Sequence, residues 1–260
     1  MSPFRRALVV FLKAPVPGLV KTRLTPVLTA EEAAGFYRAL ARDTMAAVRE
    51  WADLSEGHRP WGAYQSHPRF PDLRWAGHPV PFFEQEGANL GDRLNHAFDR
   101  MFREDHRQTV VIGSDAPEIT VDRLTEAFQS LDRHDAVIGP ARDGGYYLLG
   151  LRKSRPALWT DMPWSSDGVL AETVRRLDGR DFPTRCWTFW TISTGRKTFR
   201  RWPTASRKRA PGAPTAATPF SNSTPGESHE RLVPLLQPAV RHLRQGQGTP
   251  GGPRGETPGD

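Results

Sequence analysis

Cysteine is almost absent from this chain, since Cys186 is the single one in 260 residues. One cysteine excludes a disulfide framework and a cysteine-based zinc cluster, and it fits a reducing cytoplasm. The eight histidines are scattered without the spacing of metal ligands. The G-x-S-x-G and H-E-x-x-H motifs are missing too, so the sequence gives little support to a hydrolase.

Long apolar runs are also missing. The apolar run at 7–12 follows Arg5 and Arg6, as in a signal peptide, but six residues are too few for its hydrophobic region. No segment approaches the length of a transmembrane helix. We therefore expect no membrane span and a cytoplasmic location.

The positive charge is concentrated at one end of the chain. A net charge of +7 and a pI near 10 would normally indicate binding to nucleic acid or to an anionic membrane. Residues 178–260 hold 13 of the 36 basic and 6 of the 29 acidic residues, which leaves 23 of each in residues 1–177. The first two thirds are neutral, so we expect no nucleic-acid partner for 1–177.

The hydrophobic pattern alternates between strands and helices. Continuous apolar runs are typical of buried parallel strands, and apolar residues at helical spacing predict helices. The strands are expected at 7–12, 61–64, 81–84, 109–112, 136–138 and 146–151, and the helices at 30–51, 90–102, 121–131 and 166–177. Thr29 and Thr120 are the expected caps of the first and third helices. This alternation predicts a single α/β domain with a mostly parallel sheet and helices on both faces.

Polar clusters follow three of the predicted strands. They lie at 13–23, 113–117 and 139–146. Ligands of such sheets bind beyond the carboxyl ends of the strands. The sequence therefore predicts one active site shared by three loops.

The first of these loops, in FLKAPVPGLVKTRLTP, is rich in cations. It carries Lys13, Lys21 and Arg23, and Gly18 allows close approach of the backbone. Cations and exposed N–H groups suit a diphosphate, although the loop is not a Walker A motif. Composition is equally consistent with a proline-stiffened loop whose cations are solvated.

The second loop, in VVIGSDAPEIT, places Asp115 directly after a buried strand. Such an aspartate commonly binds Mg²⁺ or Mn²⁺ that bridges phosphate oxygens. The alternative is that Asp115 caps the helix that begins near Thr120.

The third loop, in GPARDGGYYLLGL, contains Asp143, Gly144, Gly145 and Tyr146. The two glycines permit positive φ angles and close approach to a substrate. The alternative is an ordinary Asp-Gly turn between two strands.

Two further segments supply candidates. In EQEGANLGDRL, Arg93 near a helix start could reach a phosphate, or it is simply solvated. In MPWSS, Trp164 and Ser165 could form a lid or substrate wall, or a helix cap with a packed indole.

Taken together, the motifs resemble a known family. FLKAPVPGLVKTRLTPVL, EEAAGFYRALARDT, EQEGANLGDRLNHAF, VVIGSDAPEIT, GPARDGGYYLLGL and MPWSSDGVL occur here in one order. Over residues 7–177 they are similar to the bacterial glycosyltransferase-A-like proteins of the DUF2064 group, some of which are known as arsenosugar-biosynthesis glycosyltransferases. The resemblance is specific because six motifs agree in order and type.

The resemblance implies a GT-A-like (Rossmann-like) fold and a metal-dependent glycosyltransferase that uses a nucleotide-diphospho-sugar and a small-molecule acceptor. Asp115 would bind the metal, and Asp143 with its two glycines would face the sugar or acceptor. The cations of the first loop would face the nucleotide phosphates. The group is also similar to nucleotidyltransferases that guanylylate phospholactate or the molybdenum cofactor, so nucleotidyl transfer is the alternative. Neither the catalytic base nor the oligomeric state is indicated.

Residues 178–260 depart from the family. Proline and glycine make up 21 of these 83 residues, which indicates a low-complexity, disordered basic tail. Family members continue instead into a strand that ends in a motif like Asp-Ile-Asp-x-Pro-Glu-Asp-Leu. A two-base shift of the codons for residues 186–202 can encode that motif, so we hypothesise a frameshift between Leu177 and Arg180. The alternatives are a genuine tail that binds nucleic acid or membrane, and a decayed nucleotide-binding protein that lacks a second metal ligand.

Overall fold

Strands and helices alternate along the chain and build one mixed sheet. The computed structural model describes residues 5–141, 143–164 and 166–177, together with the backbone of 187–190 and 199–201. Its strands are β1 Arg6–Lys13, β2 His58–Gln65, β3 Phe82–Glu84, β4 Gln108–Gly113, β5 Ala136–Pro140, β6 Tyr146–Leu151, β7 Trp187–Trp190 and β8 Phe199–Arg201. Its helices are α1 Ala30–Asp53, α2 Leu90–Arg103, α3 Val121–Leu131 and α4 Val169–Leu177.

The strand order places the carboxyl ends of the first five strands at one edge. The order is β3-β2-β1-β4-β6-β5-β7-β8. The pairs β1–β2, β1–β4 and β2–β3 are parallel, whereas β6 runs antiparallel between β4 and β5. Consequently β1 to β5 point the same way, and the loops after β1, β4 and β5 open at the same edge.

Helices cover both faces of this sheet. Leu8, Val10 and Leu12 of β1 lie in the core beneath α1 and α3, while Ala7 and Val9 lie in the core beneath α2 and α4. All five side chains are fully buried. Burial on both faces explains why β1 is a continuous apolar run rather than an alternating one.

The sequence predicts the helix caps more accurately than it predicts which residues of the helices are buried. Thr29 forms a capping box with Glu32 at the start of α1, and the Thr120 hydroxyl accepts a hydrogen bond from the Arg123 N–H in α3. In α2, however, Leu90 has the helical spacing of the apolar face but is 46% exposed, and Gly91 is buried in its place. The ring of Trp164 lies against Gly91, which explains the exchange.

The last helix begins later than predicted. We expected it from Ser166, but α4 starts at Val169. The Ser166 hydroxyl donates to the Pro163 carbonyl and accepts from the Gly168 N–H. These bonds form a turn, and the turn delays the helix by three residues.

The region after residue 177 is described only at two strands. The backbone of β7 pairs parallel with β5, and β8 pairs antiparallel with β7. The rest of 178–260 lies outside the described residues, so the disordered tail and the frameshift stay predictions. Across the described residues, every helix is too short or too polar to cross a bilayer.

Candidate functional site

The loops after β1 and β4 meet through an ion pair. Lys21 Nζ lies 2.9 Å from Asp115 Oδ2, and the two side chains are 25% and 47% exposed. Lys21 has a left-handed backbone with φ of 50°, and Gly18 has φ of 80°. Because β1 and β4 are neighbouring parallel strands, the fold brings together two side chains that lie 94 positions apart in the sequence.

The other two cations of the first loop remain uncompensated. Lys13 ends β1, and Arg23 lies in a short 3₁₀ turn, Thr22–Leu24. Both side chains are exposed. Among the described residues neither has an ion-pair partner. Lys13 and the two loops together carry three cations against two carboxylates, those of Asp115 and Glu118, and this excess of positive charge suits an anionic ligand.

Helix α1 forms hydrogen bonds with the ends of β1 and β4, from which the two loops begin. Tyr37 is 4% exposed, and its hydroxyl accepts a hydrogen bond from the Lys13 N–H at 3.0 Å. The same oxygen lies 2.9 Å from Ser114 Oγ, next to Asp115. Seven residues further along α1, the Thr44 hydroxyl donates to the Ser114 carbonyl at 3.3 Å. Burial is the main cause of the raised pKa of Tyr37, so its hydroxyl stays protonated at neutral pH.

Asp115 does not cap α3, because Thr120 does so. In the described part of the chain, no group of three or more His, Cys, Asp or Glu side chains could hold a metal ion. Asp115 thus belongs to no such group among the described residues, and it is already paired with Lys21. A lone carboxylate fits Mg²⁺ or Mn²⁺ when substrate phosphates and water complete the coordination, as is usual for Mg²⁺. The residues therefore fit a cation that binds with a diphosphate, rather than a preformed metal centre.

The third loop forms the turn between β5 and β6. The Asp143 carboxylate accepts a hydrogen bond from the Gly145 N–H at 3.2 Å. Gly144 has φ of 83°, and a Cβ atom there would lie 2.2 Å from the Asp167 carbonyl oxygen. The Leu170 N–H donates to the Gly144 carbonyl. The geometry of the turn therefore explains Asp143 and Gly144 without a ligand. The loop nevertheless opens at the same edge of the sheet as the loop that carries Asp115.

Tyr146 begins β6 and packs against the core beneath α2 and α4. Burial raises the pKa of its hydroxyl above the ordinary value. Tyr146 is a candidate substrate-binding residue, and that role stays a prediction.

The remaining candidates surround the start of α2. Arg93 is half-buried, and its Nε donates to the Gly87 carbonyl at 3.1 Å. It is therefore held by the preceding loop rather than simply solvated. Trp164 lies on the first turn of α2, where a Cβ atom at Gly91 would come within 2.8 Å of its ring. Ser165 lies outside the described residues.

The hydrogen bonds that Tyr37 and Gln85 form at this edge of the sheet are not indicated by the sequence. The Gln85 side chain donates to the carbonyls of Leu12 and Ala63, at 3.0 and 2.8 Å, and so joins the ends of β1 and β2. The signal for Tyr37 was a phenol on the apolar face of a predicted helix. A buried tyrosine hydroxyl usually has a hydrogen-bond partner, but the partner itself depends on the tertiary fold.

Comparison with known proteins agrees with this architecture. Residues 41–166 match the DUF2064 family model, described as an uncharacterized protein conserved in bacteria. A candidate nucleotide-diphospho-sugar transferase from Desulfovibrio desulfuricans G20 is 31% identical, with a TM-score of 0.60 over 66% of this chain and 74% of that chain. No curated protein matches the chain.

Two further solved structures have lower sequence identity and lower TM-scores. A CMP:2-keto-3-deoxy-manno-octonic acid synthetase complexed with CTP is 14% identical, with a TM-score of 0.37 over 66% of this chain and 84% of its own. The bifunctional IspDF from Campylobacter jejuni is 9% identical, with a TM-score of 0.41 over 74% of this chain and 51% of its own.

The match at 31% identity, the family model and the shared fold agree with one another. The mostly parallel sheet with helices on both faces is therefore a fold that this chain shares with the candidate transferase from Desulfovibrio desulfuricans. The chain belongs to the DUF2064 family.

Proposed function

We propose that this protein is a metal-dependent glycosyltransferase that uses a nucleotide-diphospho-sugar as donor. The observation that carries the proposal is the Lys21–Asp115 pair, formed at the carboxyl ends of two adjacent parallel strands. Lys13 ends β1 and Arg23 lies on the same loop as Lys21, and within the described part of the chain neither cation has an ion-pair partner. The relative from Desulfovibrio desulfuricans supports the donor class, because its name is that of a candidate nucleotide-diphospho-sugar transferase.

The proposed chemistry depends on the negative charge that the leaving group gains during glycosyl transfer. Glycosyl transfer from such a donor releases a nucleoside diphosphate, and negative charge grows on the leaving phosphate in the transition state. Lys13, Lys21 and Arg23 would oppose that charge, and Gly18 would let the backbone come close. A divalent cation held by Asp115 would supply further neutralisation. Electrostatic stabilisation of this kind is usually the largest single contribution to catalysis.

The third loop would orient the second substrate. Asp143 has one carboxylate oxygen bonded to the Gly145 N–H, and its side chain is exposed. It would therefore offer its other oxygen to a sugar or acceptor hydroxyl. Arg93 and Trp164 border the same edge of the sheet from α2. The proposal includes a cytoplasmic location and a small-molecule acceptor.

The matched pair Asp115→Asn and Asp72→Asn tests the site. Each variant removes one carboxylate from an exposed ion pair, since Asp72 lies 2.7 Å from Arg74. Titration calorimetry with UDP- and GDP-sugars, with and without Mn²⁺, should show binding that depends on Mn²⁺ in the wild type. Asp115→Asn should abolish this dependence and Asp72→Asn should keep it. Equal loss of the Mn²⁺ dependence in both variants would show that Asp115 does not belong to the site.

The products separate glycosyl transfer from the alternatives. Release of a nucleoside diphosphate identifies a glycosyltransferase. Release of pyrophosphate from a nucleoside triphosphate identifies a nucleotidyltransferase, which would use the same cations. Binding without turnover, also in a protein with the restored reading frame, identifies a decayed nucleotide-binding protein.

A further inference from the structure

We propose that Tyr37 is a positioning residue, which sets the spacing between the loops after β1 and β4 so that Lys13, Lys21 and Asp115 engage one diphosphate. The role assigned to the diphosphate rests on the proposed function. The connection between the two loops is a property of the free protein and can be tested separately.

A single oxygen atom contacts both loops. The Tyr37 hydroxyl accepts from the Lys13 N–H at 3.0 Å and shares a second hydrogen bond with Ser114 Oγ at 2.9 Å. Ser114 directly precedes Asp115. The Tyr37 ring also packs with Val20, directly before Lys21. One side chain thus contacts Lys13, the residue before Lys21 and the residue before Asp115.

Burial makes this contact hard to replace with water. Tyr37 and Ser114 are each 4% exposed. Both loops lie against α1, whose first turn is fixed by the Thr29–Glu32 capping box. Thr44, also on α1, holds the Ser114 carbonyl. The spacing of the two loops is therefore defined by a helix rather than by the loops themselves.

Tyr64 provides a control for the loss of a buried hydroxyl. Its side chain is fully buried, and its hydroxyl donates to the Phe70 carbonyl at 2.7 Å and accepts from Trp75 Nε1 at 3.0 Å. Tyr37→Phe and Tyr64→Phe therefore each delete one oxygen with two hydrogen bonds. The Tyr64 hydroxyl bonds to neither of the two loops.

The first measurement is amide hydrogen exchange on the ligand-free full-length chain. Tyr37→Phe should speed exchange at least tenfold in both 14–24 and 113–117, while Tyr64→Phe should leave both segments at the wild-type rate. The Lys13 amide is left out of the comparison because it loses its own hydrogen bond. Unchanged exchange in 113–117 would overturn the proposal, since the two loops would then be independent.

The second measurement is the affinity for UDP and GDP with and without Mn²⁺. We expect Mn²⁺ to tighten binding at least tenfold in the wild type and in Tyr64→Phe, but less than threefold in Tyr37→Phe. Faster exchange with a full Mn²⁺ effect would overturn the positioning role, because the spacing would not serve the site. If the wild type binds neither nucleotide, the proposed function fails, and hydrogen exchange alone decides whether Tyr37 connects the loops.

Discussion

Gly18 and Gly144 have nearly the same backbone conformation but different surroundings. Their φ angles are 80° and 83°. A Cβ atom at Gly18 would meet nothing within 4 Å, whereas one at Gly144 would lie 2.2 Å from the Asp167 carbonyl oxygen and 2.5 Å from its Cα. Because the obstructing atoms belong to the backbone, no rotamer change can remove the overlap.

Alanine at the two positions should therefore have different costs. The left-handed conformation costs a residue with a Cβ atom about 1–2 kcal/mol, and this applies at both sites. Overpacking adds about 1–3 kcal/mol at Gly144 alone. We expect Gly18→Ala to lower the free energy of unfolding by about 1–2 kcal/mol and Gly144→Ala to lower it by about 2–5 kcal/mol.

Urea denaturation followed by tryptophan fluorescence measures both values, provided that the slope of the transition is unchanged. Equal losses in the two variants would refute the close contact between Gly144 and Asp167. Gly18→Ala also tests the phosphate loop, because it should weaken UDP and GDP binding at least tenfold despite its modest effect on stability. Unchanged affinity would show that no ligand uses the open space above Gly18.

Three further predictions concern other parts of the chain. Gly91→Ala should displace the Trp164 ring and cost about 1–3 kcal/mol, and an unchanged urea midpoint and fluorescence spectrum would contradict the contact. Burial lowers the pKa of His58 below the value of about 6.5 that a histidine has in the unfolded chain. The free energy of unfolding should therefore keep its full value above about pH 6.5 and fall as the pH drops through the folded pKa. Thermal melts should show this fall weakened in His58→Gln, and an identical pH profile would exclude His58 as a cause. Resequencing the gene around codons 177–180 should reveal a one-base slip, and an intact reading frame would remove the frameshift hypothesis.

The alternation of strands and helices could be predicted because its signals are local. An apolar run such as that of β1 indicates burial on both faces, and a threonine followed three residues later by glutamate indicates a capping box. The start of α4 could not be predicted in this way. It depends on the turn that Ser166 forms with Pro163 and Gly168 and on the hydrogen bond from the Leu170 N–H to the Gly144 carbonyl, which is a tertiary contact with the third loop.

The site was predictable where it depends on strand order alone. Lys21 and Asp115 follow strands that proved to be neighbours, so their loops meet. The third loop follows β5, which β6 separates from β4 by running antiparallel between them. Nothing in the alternating pattern indicated that insertion, so the sequence could not show that a strand lies between the ends of β4 and β5.

Under the proposed function, the charges at this edge favour joint binding of the divalent cation and the diphosphate. A divalent cation alone would have to displace Lys21 from Asp115 and would then lie on loops that also carry Lys13 and Arg23, so repulsion opposes it. A diphosphate alone is attracted by the three cations but is repelled by Asp115. With both bound, Lys21 would be free to contact phosphate oxygens, and Asp115 would hold the cation together with the diphosphate. Each ligand would then remove the repulsion that weakens the other, and this coupling would require the loop spacing that we propose for Tyr37.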